Sequence, residues 1–249
     1  MIDEEWAKFF SKYKPRRINI TLYGKDENTY ERMCHYKEGF HKTIRAIELL
    51  KQYQIDVKIN GSITPHNKND YKEIIAIADS YEIPWKMDTY MYPGSRERKK
   101  DFNPDARLTP KEAAELQVAI MRCQYADVQS VIDDFSKKAS KAQSMETLEI
   151  PCQVGTCSFA INWQGMMRPC IMVTKPEVSV FSNDFMTAWN RLTKEVEQIR
   201  LSAKCNTCKN NQICQTCAAC AYLEIGRYDG TPVYMCQKTE HLLEILTPL

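Results

Sequence analysis

Arg17-Ile18-Asn19-Ile20-Thr21-Leu22-Tyr23-Gly24 sets apolar Ile18, Ile20 and Leu22 against polar neighbours and stops at Gly24. That alternation is the pattern of a short strand. Downstream, Phe40, Ile44, Ile47 and Leu50 recur at helical spacing, and Asp56-Val57-Lys58-Ile59-Asn60-Gly61 returns to a strand pattern. Tyr71, Ile74, Ile75 and Ala78 then sit at i, i+3, i+4 and i+7 of a second helix, and Trp85 to Tyr90 reads as a third strand. Strands separated by helices predict βαβ units, and so an α/β fold built on a parallel sheet. Three parallel strands leave two open edges. The chain is therefore expected either to be the later part of something larger or to pair its edges with another chain. Self-association along Ile18 to Leu22 is one form this would take.

Thr109-Pro110-Lys111-Glu112 carries a helix start: a capping residue, Pro in the first position and Glu three residues after the cap. A polar helical region running to about Ser144 reads as a connection between two modules. Beyond it, Ser158 to Asn162 and Met167 to Val173 flank Gly165 as a hairpin, and Phe185, Trp189, Leu192, Val196 and Ile199 mark one amphipathic helix. The expected organisation is residues 1–108, a helical connection over 109–149, and a Cys-rich module over 150–249.

The composition excludes several classes. Of 249 residues, 43% are hydrophobic and 27% charged, and 34 Lys and Arg against 32 Asp and Glu leave a net charge of +2. That balance provides no basic footprint for nucleic acid, and no apolar run is long enough to span a membrane. The start, Met1-Ile2-Asp3-Glu4-Glu5-Trp6, lacks the basic and then apolar pattern of a secretory signal, so a cytoplasmic location is expected.

Eleven cysteines are the unusual feature. Cys34 and Cys123 stand alone and read as buried thiols, which behave as small apolar side chains. The other nine run Cys152-x4-Cys157-x7-Gly165-x4-Cys170, then Cys205-x2-Cys208-x5-Cys214-x2-Cys217-x2-Cys220, then Cys236. In a reducing compartment such density reads as metal ligands before disulfides. C-x-x-C places two thiolates on one turn, close enough to share an ion or a cluster. Cys205, Cys208, Cys214 and Cys217 could close a four-cysteine zinc site of a structural module, which would leave the upstream trio and Cys236 without a role. Two iron-sulfur clusters of four thiolates each would use eight of the nine.

These motifs, with Ala218-Ala219, Gly226 and Pro232-Val-Tyr-Met-Cys236, resemble the SPASM domain of radical S-adenosylmethionine (radical SAM) enzymes over roughly residues 150 to 240. The resemblance implies two auxiliary [4Fe-4S] clusters. One would be held by Cys152, Cys157, Cys170 and Cys217, the other by Cys205, Cys208, Cys214 and Cys236. The family leaves three residues before the crossing ligand where this chain has two, which makes Cys220 a competitor of Cys217. The first part resembles the later strands of the radical SAM (β/α) barrel, so the expected fold is a partial barrel of this type followed by a small α+β SPASM domain. Thr21 and Tyr23 would then end the fourth barrel strand, and Asn67, in Thr64-Pro-x-Asn67, the loop after the fifth. The resemblance places all three where S-adenosylmethionine binds, and the alternative reading is ordinary strand-end residues.

The family's C-x3-C-x2-C motif, which holds the catalytic cluster, is absent, since no cysteine precedes Cys34. The expected function is therefore that of the later part of a radical SAM/SPASM oxidoreductase modifying a peptide or protein, without its radical initiator. S-adenosylmethionine belongs to the complete family and an electron donor to its chemistry. A non-catalytic iron-sulfur module that carries electrons or presents a peptide is the second reading, and a zinc module the third. Sulfatase-maturating relatives carry Asp directly after the cysteine corresponding to Cys170; here Ile171 follows. That turns the expectation toward maturation of ribosomal peptides.

Overall fold

The structure is a computed structural model that describes residues 2–94, 103–125, 127, 129–131, 133, 150, 152–211, 213–214 and 216–246. The charge run Arg96 to Lys100 and most of the polar stretch toward Ser144 lie outside these residues. Two compact units emerge, one of residues 1–91 with 104–124, the other of 92–103 with 125–249.

The first unit opens with helix α1 (Glu4–Lys12), capped by Asp3, whose carboxylate accepts from the Trp6 N–H at 3.1 Å. Strand β1 (Ile18–Thr21) follows, then α2 (Glu27–Cys34) and α3 (Gly39–Gln52). Next come β2 (Val57–Ser62), α4 (Tyr71–Ser80) and β3 (Trp85–Asp88). The strands form one parallel sheet in the order β1-β2-β3, with Ile20 opposite Ile59 and Ile59 opposite Trp85. The three strand expectations and the parallel α/β reading are met. Along β2, Val57, Ile59 and Gly61 are buried and alternate with half-buried residues, as a central strand requires. Leu22, Ile47, Leu50, Ile59 and Ile74 lie at the centre of the core, no more than 1% exposed. Among the described residues, β1 is hydrogen-bonded on one side, to β2, and is an edge.

Helices α1 and α2 are announced by their caps. Helix α1 follows Asp3 with Glu4 and Glu5 in its first turn, and α2 is capped by Asp26, which accepts from the Thr29 N–H at 2.8 Å. An acceptor side chain before an acidic first turn satisfies free amides and matches the helix dipole. Helix α5 (Pro110–Met121) has the expected capping box, with Thr109 and Glu112 bonded reciprocally. It clusters with the first unit. The reason is its apolar face: Ala113, Ala114, Val118, Ile120 and Met121 are buried. Cys123, just past its end, is exposed rather than buried as expected, and Cys34 is half-buried.

In the second unit, β4 (Ala160–Ile161) and β5 (Met166–Arg168) form the expected hairpin, and β6 (Val178–Ser179) adds a third antiparallel strand. Helix Phe185–Val196 covers this sheet, placing Ala188, Leu192 and Val196 against Met167 and Val178. Ile199 falls beyond its end. Helices Ala203–Asn206, Ala218–Ile225 and Val233–Leu246 complete the unit. No helix among the described residues is long and apolar enough to cross a membrane.

Candidate metal centre

At the strand ends of the first unit, Asn67 is 1% exposed. Its amide nitrogen donates to the Tyr23 carbonyl at 2.8 Å and to the Ser62 carbonyl at 3.0 Å. Its Oδ1 accepts from the Thr64 N–H at 2.7 Å. Both N–H donors are thus spent on main chain just past the ends of β1 and at the end of β2, so the side chain's visible work is to hold those ends. Tyr23 is part-exposed, with its ring edge-on to Tyr30 at 5.9 Å. Thr21 is half-buried at the end of β1, opposite Asn60. Asp70 belongs to this site as well, without a sequence signal. It is buried, accepts from the Thr29 hydroxyl at 2.6 Å, and lies 3.6 Å from the Lys25 ammonium. Asn67 and Asp70 therefore both brace the β1–α2 loop. The Thr64-Pro-x-Asn67 turn announced the first of them, whereas nothing local distinguishes Asp70 from an ordinary residue before a helix.

Mutual electrostatic influence sorts seven cysteines of the second unit into two neighbourhoods, Cys152, Cys170 and Cys217 in one and Cys205, Cys208, Cys214 and Cys236 in the other. Cys205 stands on the helix Ala203–Asn206, Cys236 in the first turn of Val233–Leu246, and Cys208 and Cys214 on the intervening loop. Burial raises the pKa of Cys236, and the charges of Cys214, Cys205 and Cys208 raise it further. Cys205 is raised by burial and then by Cys214 and Cys208, partly offset by its hydrogen bond with Ser202. In the other neighbourhood burial raises Cys152, as do the charges of Cys217 and Cys170. Cys157 is exposed and its thiol contacts the Gln153 side-chain oxygen at 3.0 Å.

Cys217 caps the helix Ala218–Ile225. Its sulfur lies 3.7 Å from that of Cys220 and 3.8 Å from the Tyr92 hydroxyl. These contacts, the Cys220 thiol first, hold its pKa down to about 6 against the opposing effect of burial, helped by the amides of Cys220 and Ala219. Burial and the neighbouring thiolates push the Tyr92 phenol up, so it stays protonated and able to donate.

This donor set fits iron-sulfur clusters. Grouped thiolates repel one another, and a cationic core between them removes that penalty. Amides two residues downstream face two of the sulfurs, Met172 N–H to Cys170 and Asn210 N–H to Cys208, each at 3.4 Å. Such contacts stabilise negative charge on ligating sulfur. Beside Cys217, the Thr216 hydroxyl is buried with no protein partner in the structure. Among the described residues, no three His, Cys, Asp or Glu side chains stand close enough to close on a single metal ion.

No protein-family model matches the chain. In sequence it is similar to the AdoMet-dependent heme synthase of Nitratidesulfovibrio vulgaris, 22% identical over 247 residues, which is 89% of this chain and 65% of that protein. It is likewise similar to the cysteine-type anaerobic sulfatase-maturating enzyme of Clostridium perfringens, 22% identical over all of this chain and 70% of that one. The chain thus spans about two thirds of the length of these relatives.

Among solved structures, anSMEcpe with bound AdoMet and the Cp18Cys peptide superposes with a TM-score of 0.72 at 19% identity, over 98% of this chain and 70% of that one. Streptococcus suis SuiB bound to the precursor peptide SuiA gives 0.64 at 14%, over 95% and 57%. The fold is that of the radical SAM enzymes with a SPASM domain. The resemblance carried by the cysteine spacing is therefore met in both sequence and structure.

Proposed function

We propose that the chain is the later-barrel and auxiliary-cluster part of a radical SAM enzyme that modifies a peptide or protein, and that it holds two [4Fe-4S] clusters. Cys152, Cys157, Cys170 and Cys217 would hold one, and Cys205, Cys208, Cys214 and Cys236 the other. The observation that carries this reading is the separation of the thiols into two neighbourhoods, with Cys217 joining Cys152 and Cys170 across more than forty residues. When bound, such clusters supply one-electron capacity at potentials the surroundings set. The chain's own residues would supply the thiolates, the amides of Met172 and Asn210 on the sulfurs, and the Tyr92 hydroxyl on Cys217.

The peptide substrate is supported by the relatives crystallised with peptides. Ile171, 81% exposed, stands where the resemblance to sulfatase-maturating enzymes calls for an acid, which favours a different peptide modification. The sequence contains no C-x3-C-x2-C motif, so the cluster that cleaves S-adenosylmethionine depends on ligands other than these residues. Thr21 and Tyr23 would face that cosubstrate, with Asn67 holding the loop in position.

Anaerobic purification with iron, sulfide and zinc analysis tests the proposal. About eight irons and eight sulfides per brown chain are expected from two four-iron clusters. A colourless chain with one zinc that resists iron reconstitution overturns it.

A further inference from the structure

We infer that Cys217 and Cys220 form a reversible dithiol-disulfide pair, whose closure withdraws Cys217 from the Cys152, Cys157 and Cys170 group. The second clause rests on the cluster reading above; the first does not.

Nine thiols lie between Cys152 and Cys236, and two four-iron clusters account for eight. The ninth, Cys220, is 1% exposed, a burial that alone would read as a small apolar side chain. Its sulfur, however, lies 3.7 Å from that of Cys217. Cys217 is the cap residue of the helix Ala218–Ile225, and Cys220 is the third residue within it. Residues three apart on a helix have β-carbons about 5–6 Å apart, roughly 1–2 Å more than a disulfide spans, so closure asks for a small adjustment of the backbone at the cap residue. At 3.7 Å no side chain fits between the sulfurs. C-x-x-C at a helix start is also the arrangement of dithiol oxidoreductases.

The order of reaction follows from access. Cys217 is part-buried and open to a small reagent, whereas Cys220 is covered. The oxidant class is a small organic disulfide, RSSR. The Cys217 sulfur attacks one sulfur of RSSR, breaking its S–S bond and releasing RSH once a proton is taken up. The Cys220 sulfur then attacks Cys217, releasing the second RSH and closing the protein disulfide. Two thiol hydrogens and two electrons pass from the cysteine pair to RSSR, and excess RSH reverses both steps.

In the closed form Cys217 is no longer a thiolate and is lost as a ligand, while Cys205, Cys208, Cys214 and Cys236 are untouched. The pair would thus gate one cluster and spare the other.

The test uses the full chain, prepared anaerobically without iron, fully reduced, and then equilibrated in glutathione buffers of increasing oxidised fraction. Peptide mass mapping after alkylation is expected to find the Cys217–Cys220 linkage as the first disulfide to form. On iron and sulfide reconstitution, the reduced chain should take up about eight irons and the oxidised chain about four. A reduced Cys220→Ala chain should take up about eight, in line with two clusters held by the other eight thiols, and in oxidised buffer it should stop at the Cys217 mixed disulfide with glutathione, which the mass map reads directly. Alkylation of both thiols throughout, or earlier linkage elsewhere, overturns the pair. Equal iron uptake by oxidised and reduced wild type overturns the gating. A reduced chain that binds no iron defeats the cluster reading and the gating with it, and the mass map still decides the pair. If Cys220→Ala does not fold, the wild-type map and iron ratio decide.

Discussion

The Asn67 amide donates to the Tyr23 carbonyl at 2.8 Å across 44 residues of chain, and to the Ser62 carbonyl at 3.0 Å. It thereby bridges two neighbouring parallel strands where their ladder runs out. Removing the amide leaves two carbonyls and the Thr64 N–H to find other partners in a buried setting, where each lost partner costs about 1–3 kcal/mol. Asn67→Ala is expected to lower stability by about 3 kcal/mol in urea denaturation. Asn67→Asp should do no better at neutral pH, because it presents oxygen to two carbonyl oxygens. A loss below about 1 kcal/mol for Asn67→Ala would mean that the strand ends hold themselves.

Gly155 lies in the loop between Cys152 and Cys157 with a φ of +69°, and its N–H donates to the Ser158 carbonyl at 2.8 Å. A β-carbon there would come within 2.6–2.9 Å of the Val196 side chain, which belongs to the core of the second unit. Left-handed backbone costs a residue with a side chain about 1–2 kcal/mol, and overpacking adds about 1–3 kcal/mol. Gly155→Ala should therefore destabilise the second unit by about 2–5 kcal/mol on the sum of those effects. It should also reduce iron uptake by the group that includes Cys152 and Cys157. Unchanged values of both would show that Val196 and the loop give way easily.

Acid should weaken the first unit over a defined window. Glu112 accepts from Lys68 at 2.6 Å and closes the capping box with Thr109, and together these hold its carboxyl down at about 2. A depressed folded-state value means that the unfolded chain binds the proton first. The stabilisation is therefore present above the ordinary glutamate range and is lost as pH falls from about 4.5 toward 2. Thr109→Ala is expected to cost about 1 kcal/mol at pH 7, and Glu112→Gln to flatten the acid limb of a Tm against pH plot. An acid limb of the same slope in Glu112→Gln would remove Glu112 from the account.

The Tyr92 hydroxyl, 3.8 Å from the Cys217 sulfur, bears on the proposed cluster. A donor to ligating sulfur favours the reduced, more negative state. Tyr92→Phe should thus lower one of the two midpoint potentials, by about 40 mV if the bond is worth about 1 kcal/mol to a one-electron couple. Electron paramagnetic resonance under potentiometric control reads this shift, and two unmoved potentials would exclude Tyr92 from tuning.

Much of the fold was legible because it is local. The alternation in Ile18 to Leu22, the helical spacing of Phe40, Ile44, Ile47 and Leu50, and the Thr109 to Glu112 cap each reflect interactions within a few residues. Helices α1 and α2 were legible too, through their Asp3 and Asp26 caps. Less legible was the fate of α5. Its sequence looks polar, yet Ala113, Ala114 and Val118 form a small-residue face that only a neighbour could bury.

From the residues alone came the parallel α/β class, the density and spacing of the cysteines, and the absence of a C-x3-C-x2-C motif, since strand alternation and ligand spacing are properties of contiguous chain. The tertiary structure decided which thiols are neighbours: Cys217 stands near Cys152 and Cys170 on one side and Cys220 on the other, while Cys236 returns to Cys205, Cys208 and Cys214. It also decided that both Asn67 donors go to main-chain carbonyls. Such contacts join residues tens of positions apart, so they exist only once burial of the two cores has closed the intervening loops.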